Sequence, residues 1–207
     1  MRKIKVMGIA ATTAILLSVV GSSVVAHERG NNAARVTILH ANNHKENEIS
    51  WRKDRKLSWD DFKGPIPRDV DHRTAAATYC GIGFETSTIS NTNKDLKITV
   101  YNTFYIGNSW AKPEEMNEDV LEHEQGHFDL CELYTRKLRE RLSVVNVDVN
   151  TMKPTLRKVY NDLQEEYKKR QQEYESETAH GVNLPQQRKW RDILDRELQE
   201  TEHWAGT

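Results

Sequence analysis

The stretch LEHEQGHFDL, from residue 121 to residue 130, carries side chains that can bind a metal ion and move a proton. His123 and His127 are four positions apart, so on a helix their rings share one face and can converge on one ion. Glu124 is turned away from the ligand direction, where its carboxylate can accept a proton from an activated water. This spacing predicts a zinc site with Glu124 as the general base.

The helix that carries this motif is predicted to turn the histidines toward the protein interior. On a helical wheel, Val120, Leu130 and Leu138 lie on the same face as the two imidazoles. An inward-facing pair of rings is what a metal site needs. The alternative is a pair of core histidines that are satisfied by hydrogen bonds and bind no metal.

A third ligand must come from another segment, because a catalytic zinc site takes three protein ligands and one water. Cys131 is on the correct face, but it lies about 12 Å along the helix from the first histidine. The best source is YESETAHG, residues 174–181, at the end of the next long helix. We rank His180 first, Glu177 second and Glu175 third. The alternative role of His180 is a cation that complements the dipole at the helix C-terminus.

The remaining pattern predicts an α+β fold, with a small antiparallel sheet packed against long helices. Alternating apolar residues predict two paired strands, and longer periodic segments bounded by caps and prolines predict three helices. The strands are expected at 74–90 and 96–106, and the helices at about 116–142, from 151 to near Gly181, and 186–204.

The N-terminal 26 residues have the pattern of a signal peptide that is cleaved after Ala26. Three basic residues precede an uncharged run that ends in small side chains. The alternative is an uncleaved membrane anchor, and no second stretch is apolar enough to span a membrane. Residues 27–50 are polar and predict a flexible segment with one short strand, RVTILH. The functional domain is expected at 51–207, and its location is secreted or periplasmic.

The charge and the cysteines limit the classes of partner. The formal net charge of −1 becomes −4 once residues 1–26 are removed, which gives no electrostatic case for nucleic acid or for an anionic membrane. We therefore expect a peptide or protein substrate, with no nucleic acid and no stable membrane insertion after cleavage. Cys80 and Cys131 predict one disulfide in an exported protein, and two buried free thiols are the alternative.

The chain resembles a family of secreted bacterial proteins that are predicted to be zinc-dependent proteases. The resemblance rests on LSWDDFKGPIP (57–67), SW (109–110), HEQGHFDLCELYTRKLR (123–139) and YESETAHG (174–181). It implies a zincin-like fold in which the two helix histidines bind zinc and the glutamate between them acts as the base. It also supports His180 as the third ligand.

These observations predict a secreted zinc metallopeptidase that hydrolyses peptide bonds through a metal-activated water. One alternative is a non-enzymatic exported binding protein with a structural or vestigial metal site, and another is a hydrolase of a non-peptide amide. In a peptidase, the strand at 96–106 can offer a sheet edge to the substrate. Tyr101, Tyr105 or Tyr174 can then donate a hydrogen bond to the oxyanion.

Overall fold

The computed structural model describes residues 22–23, 34–40, 46–88, 95–148 and 150–206. These residues form an α+β fold, as predicted, with one five-stranded sheet, one two-stranded sheet and three long helices. The strands are β1 (Ser22–Ser23), β2 (Arg35–His40), β3 (Glu48–Ile49), β4 (Ala76–Ala77), β5 (Cys80–Thr88), β6 (Asp95–Tyr105) and β7 (Trp110–Ala111). The helices are α1 (Glu118–Val144), α2 (Met152–Glu177) and α3 (Leu184–Glu200). No helix in this part of the chain is both long and apolar enough to cross a membrane.

Strand β6 is the centre of the larger sheet. It pairs antiparallel with β5 over the whole of that strand, from Cys80 opposite Phe104 to Thr88 opposite Leu96, which confirms the predicted pair. Its other edge pairs with β2 in parallel and with β3 antiparallel. The sheet is therefore mixed rather than purely antiparallel. Ala76–Ala77, which we expected at the start of the first strand, pairs separately with β7.

The segment 27–50 contributes to the sheet, although we expected most of it to be flexible. RVTILH is strand β2, as predicted, and its residues Val36, Ile38 and Leu39 are buried. The folded domain therefore includes residues before the expected start at 51. The predicted signal peptide lies outside the described residues except for Ser22–Ser23, which pair antiparallel with β2. Its cleavage stays a prediction.

Helix α1 lies between the sheet and the other two helices. Its start is fixed by the Asn117 side chain, which accepts a hydrogen bond from the Val120 amide. Phe104 of β6 contacts Phe128 of α1, with 5.6 Å between ring centroids. Every residue from His123 to Arg136 is buried. A helix that is enclosed all round has no solvent-facing stripe, so its polar side chains must find partners inside the protein.

Gly126 in the middle of α1 is required by the contact with α2. A Cβ at this position would lie 2.2 Å from the hydroxyl oxygen and 2.7 Å from Cζ of Tyr174. That hydroxyl cannot move freely, because it donates to the carbonyl of His123 and accepts a hydrogen bond from Gln187. The glycine therefore allows the Tyr174 side chain to cross α1 beside the two histidines.

We predict that Gly126→Ala lowers the free energy of unfolding by about 1–3 kcal/mol, as overpacking does in a filled core. The loss should occur even though alanine favours a helix over glycine by about 1 kcal/mol. Urea denaturation of the purified protein measures the effect. Gly107→Ala is the control, because a Cβ there has no heavy atom within 4 Å. Equal stability of the two variants would contradict the packing role of Gly126.

Candidate metal centre

The site lies where the end of α2 crosses α1. The two helices run antiparallel, since His127 is near Glu175, Tyr134 contacts Tyr167, and Arg141 pairs with Glu166. Helix geometry places the rings of His123 and His127 on one side of α1, with their centroids 4.8 Å apart. The last turn of α2 brings a carboxylate to the same place.

Three donor atoms converge at this crossing. Nε2 of His127 is 3.2 Å from Nε2 of His123 and 2.8 Å from Oε1 of Glu175. Nε2 of His123 is 3.6 Å from the same carboxylate oxygen. Tetrahedral zinc with bonds of 2.0–2.1 Å requires neighbouring donors about 3.3 Å apart. The three separations fit that requirement, and within the described residues this is the group of three or more such side chains that can hold a metal ion.

Gln171 fixes the orientation of the His127 ring. Its side-chain amide donates to the Tyr167 hydroxyl, with 2.8 Å between the two atoms, and also to the His127 carbonyl. Its oxygen therefore faces Nδ1 of His127 at 2.6 Å and accepts a hydrogen bond from it. In the neutral ring this leaves the lone pair on Nε2, the nitrogen that faces the other donors.

Gln187 fixes the orientation of the His123 ring through a closed ring of hydrogen bonds. Tyr174 donates to the His123 carbonyl and accepts from the Gln187 amide, which directs the Gln187 oxygen to Nδ1 of His123 at 3.1 Å. The Tyr174 ring also stacks on the His123 ring, with 4.8 Å between centroids and 15° between planes. Both imidazoles are thus held with Nδ1 bonded and Nε2 free.

With both imidazoles neutral and protonated on Nδ1, a buried carboxylate oxygen faces two ring nitrogens that carry lone pairs. Oε1 of Glu175 then lies 2.8 Å from Nε2 of His127, and no other atom of the described residues donates a hydrogen bond to it. Two imidazole nitrogens and one carboxylate oxygen repel each other when all three present electron pairs to the same point. A bound cation removes that repulsion, so the donor set fits a metal ion such as zinc.

The pKa values of the metal-free site reflect the same proximity. Burial alone lowers the pKa of His127, but the charge of Glu175, its hydrogen bond to the ring and the charge of Glu124 together outweigh burial and raise this pKa to about 9. Burial alone raises the pKa of Glu175, and the charges of His127 and His123 hold it well below its usual range. Without metal, the site is therefore an ion pair between an imidazolium and a carboxylate at neutral pH.

Glu124 is fully buried, and neither carboxylate oxygen has a hydrogen-bond partner among the described residues. Its carboxylate is not part of the converging group of donors. Its backbone carbonyl accepts a hydrogen bond from the Thr78 hydroxyl, which fixes the chain after β4 against this turn of α1. The base role predicted for Glu124 stays a prediction.

The structure brings Glu175, and not His180, into the group of converging donors. Residues 179–181 have left-handed backbone with φ values of 49°, 58° and 79°, and this turn places Nδ1 of His180 against Oε2 of Glu175. His180, our first choice as third ligand, therefore contacts Glu175 instead of joining the group. Glu177, our second choice, is exposed and accepts hydrogen bonds from Gln186 and Trp190.

A signal for Glu175 was present in the sequence. Positions 163, 167, 171 and 175 form one i, i+4 row, which is a continuous ridge on a helix surface. All four residues of this row are buried against neighbouring elements. Glu175 extends a row that begins with leucine and tyrosine, whereas Glu177 lies on a different face. An acidic residue at the end of a buried row indicates an internal partner.

The proposed oxyanion donors are placed less favourably than we expected. Tyr101 and Tyr105 alternate with the buried residues of β6 that face α1, so they lie on the opposite face of the sheet. The hydroxyl of Tyr174 is held by two hydrogen bonds. Strand β6 is paired with β5 on one side and, on the other, with β2 at residues 95–100 and with β3 at residues 104–105. The next strand, β5, has one carbonyl, that of Ile82, bonded to the Tyr160 hydroxyl.

Cys80 and Cys131 are buried free thiols. The structure therefore shows the second of the two alternatives and not the predicted disulfide. Burial and the neighbouring Cys80 thiol raise the pKa of the Cys131 thiol well above its ordinary value. Cys80 also lies 3.6 Å from the carbonyl of His127 and 3.5 Å from the Tyr167 hydroxyl. The two thiols therefore pack close to the turn of α1 that carries His127.

A family profile described as "Bacterial protein of unknown function (DUF922)" matches residues 67–181, more than half of the 207-residue chain. The chain belongs to this family. The DUF922 match includes both histidines, Glu124 and Glu175, and it ends at Gly181, whose backbone packs against the His123 ring. The searches of curated proteins and of solved structures found no significant match.

We predict that Gln171→Leu raises the zinc dissociation constant about 10- to 100-fold, as removal of a hydrogen-bond partner of a ligand commonly does. Competition with a chromophoric chelator measures this constant. Gln171→Glu keeps an oxygen for Nδ1 of His127 and should bind zinc more tightly than the leucine variant. Gln172→Leu is the matched control, since its side chain is exposed on the next position of the same helix. Wild-type affinity in Gln171→Leu would refute the orienting role.

Zinc binding near pH 7.5 should release about one proton from His127. The raised pKa means that this ring is protonated in the metal-free protein, whereas a ligand nitrogen must be unprotonated. Apparent affinity should therefore increase with pH up to about 9, where the ring is already neutral. Calorimetric titrations in buffers with different ionisation enthalpies count the released protons. Binding enthalpies that do not depend on the buffer would contradict this prediction.

Proposed function

We propose that this DUF922 protein is a zinc-dependent hydrolase that cleaves peptide bonds in peptides or proteins. The observation that carries the proposal is the combination of three converging protein donors with a buried, unpartnered carboxylate on the same turn of α1. Two histidines and a glutamate are a ligand set that catalytic zinc sites use. The fourth position is then free for a water or a substrate oxygen.

Each residue has one role in the proposed reaction. His123, His127 and Glu175 would hold the ion, and Gln171 and Gln187 would keep the two rings in the correct tautomer. Zinc bound there supplies a Lewis acid that polarises a carbonyl and activates water near pH 7. Glu124 would accept the proton of the attacking water on its carboxylate and could then deliver it to the leaving amine.

A second candidate is a non-enzymatic binding protein in which the metal is structural. The enclosure of the site favours this reading, because the side chains of His123, His127 and Glu175 are only 2%, 1% and 10% exposed. The number of donors favours the enzyme, because structural zinc sites close with four protein ligands and the described residues supply three. Substrate would have to approach past Glu175 and His180, the more exposed side of the site.

We further propose that the protein acts outside the cytoplasm. The support is the leader-like pattern of residues 1–26 and the predicted cleavage after Ala26. The −4 charge of the remaining chain fits neither a nucleic acid nor an anionic membrane as partner.

Glu124→Gln should keep zinc and lose hydrolysis by about 100- to 10,000-fold, the usual contribution of a general base. Zinc content, unfolding temperature and cleavage of casein and of peptidoglycan peptides are measured for the wild type and the variant. Glu122→Gln is the matched control, because this carboxylate lies on the same helix and pairs with Arg191 away from the site. The control should retain wild-type turnover.

Two results would contradict the enzyme proposal. The first is a zinc-loaded wild type that cleaves neither substrate above the buffer rate. The second is a Glu124→Gln variant that cleaves as fast as the wild type while holding zinc.

A further inference from the structure

We propose that His180 is a positioning residue that holds one oxygen of Glu175, so that the other oxygen alone faces the two histidines. Nδ1 of His180 is hydrogen-bonded to Oε2 of Glu175, while Oε1 lies 2.8 Å from Nε2 of His127. A carboxylate held in this way binds a metal through one oxygen and leaves a coordination position open. The inference rests on the proposed metal site, but it does not require that the reaction be proteolysis.

The backbone around His180 has a conformation that residues with a Cβ rarely adopt. Within the described parts of the chain, Ala179 and His180 are the non-glycine residues with positive φ, and Gly181 follows them at 79°. Left-handed backbone is unfavourable for such residues, and it persists only where surrounding contacts enforce it. Strained residues of this kind are enriched at functional sites. The turn is therefore specified by its contacts.

A set of hydrogen bonds ties this turn to the end of α2. The His180 amide donates to the Glu175 carbonyl, with 2.9 Å between the two atoms. The Thr178 hydroxyl donates to the Tyr174 carbonyl at 2.6 Å and accepts from the Gly181 amide at 3.3 Å. Helix, turn and metal-facing carboxylate thus form one connected unit.

The same turn also touches the other helix of the site. A Cβ at Gly181 would lie 2.9 Å from Cγ of the His123 ring, so only glycine allows this approach. The turn therefore fixes two donors at once, Glu175 through the His180 side chain and His123 through the Gly181 backbone.

The exposure of His180 indicates that its ring is not there to fill the core. Its side chain is 20% exposed, whereas those of His123 and His127 are 2% and 1% exposed. A partly exposed ring that donates to a buried carboxylate acts on the orientation of that carboxylate. The competing explanation is a cap that only completes the C-terminus of α2, and the experiment must separate the two.

Three substitutions in the full chain separate the side chain from the backbone. His180→Gly removes the ring and relieves the left-handed strain, and His180→Ala removes the ring and keeps the strain. His180→Asn tolerates the left-handed conformation and offers an amide donor near the position of Nδ1. His72→Ala is the control, because the His72 side chain is 91% exposed.

Zinc affinity and the visible absorption spectrum of the cobalt-substituted protein are the readouts. We expect the glycine and alanine variants to bind zinc about 10- to 100-fold more weakly and to change the cobalt spectrum, since Glu175 loses its fixed orientation. The asparagine variant should remain within about threefold of the wild type, and the metal-free glycine variant should unfold at or above the wild-type temperature.

A glycine variant with wild-type zinc affinity and an unchanged cobalt spectrum would overturn the inference, because the turn would then work without the ring. If the wild type binds zinc but hydrolyses nothing, the role of His180 can still be measured and only the enzyme proposal fails. If the wild type binds neither zinc nor cobalt, both proposals fail.

Discussion

Three electron-pair donors meet inside the protein at the crossing of α1 and α2, and their mutual repulsion must be balanced. The surrounding residues hold these three donors in position. Gly126 admits the Tyr174 side chain, two glutamines hold the imidazole tautomers, and the turn after α2 holds the carboxylate. Without metal, a proton on His127 offsets part of this repulsion. A divalent cation would balance all three donors, which is why we propose a metal at this point.

The sequence was most informative where one helix carries the chemistry. The motif in α1 predicts the helix, the inward direction of both histidines and the central glutamate, because a 3.6-residue period relates side chains on the same element. The paired strands β5 and β6 were predictable for a similar reason, since residue alternation is local. Strand β2 was recognised as a strand, but its parallel pairing with β6 depends on a long-range contact that no local pattern encodes.

The third donor was harder to predict because it depends on the path of the chain after a helix. We ranked His180 above Glu175 since a histidine beside a glycine at a helix end can reach a neighbour. The left-handed backbone at 179–181 changes the direction of that ring and brings it to Glu175. Positive φ at alanine and histidine cannot be anticipated from their intrinsic preferences. The buried i, i+4 row of α2 was the more reliable indicator.

Anomalous diffraction at the zinc edge from crystals of the zinc-loaded protein would locate the ion relative to the two histidines and Glu175. We expect one strong peak within about 2.2 Å of Nε2 of His123, Nε2 of His127 and Oε1 of Glu175, with His180 hydrogen-bonded to the other carboxylate oxygen. A peak bonded to His180 or to Glu124, or no peak between the two histidines, would show that these three donors do not form the metal site.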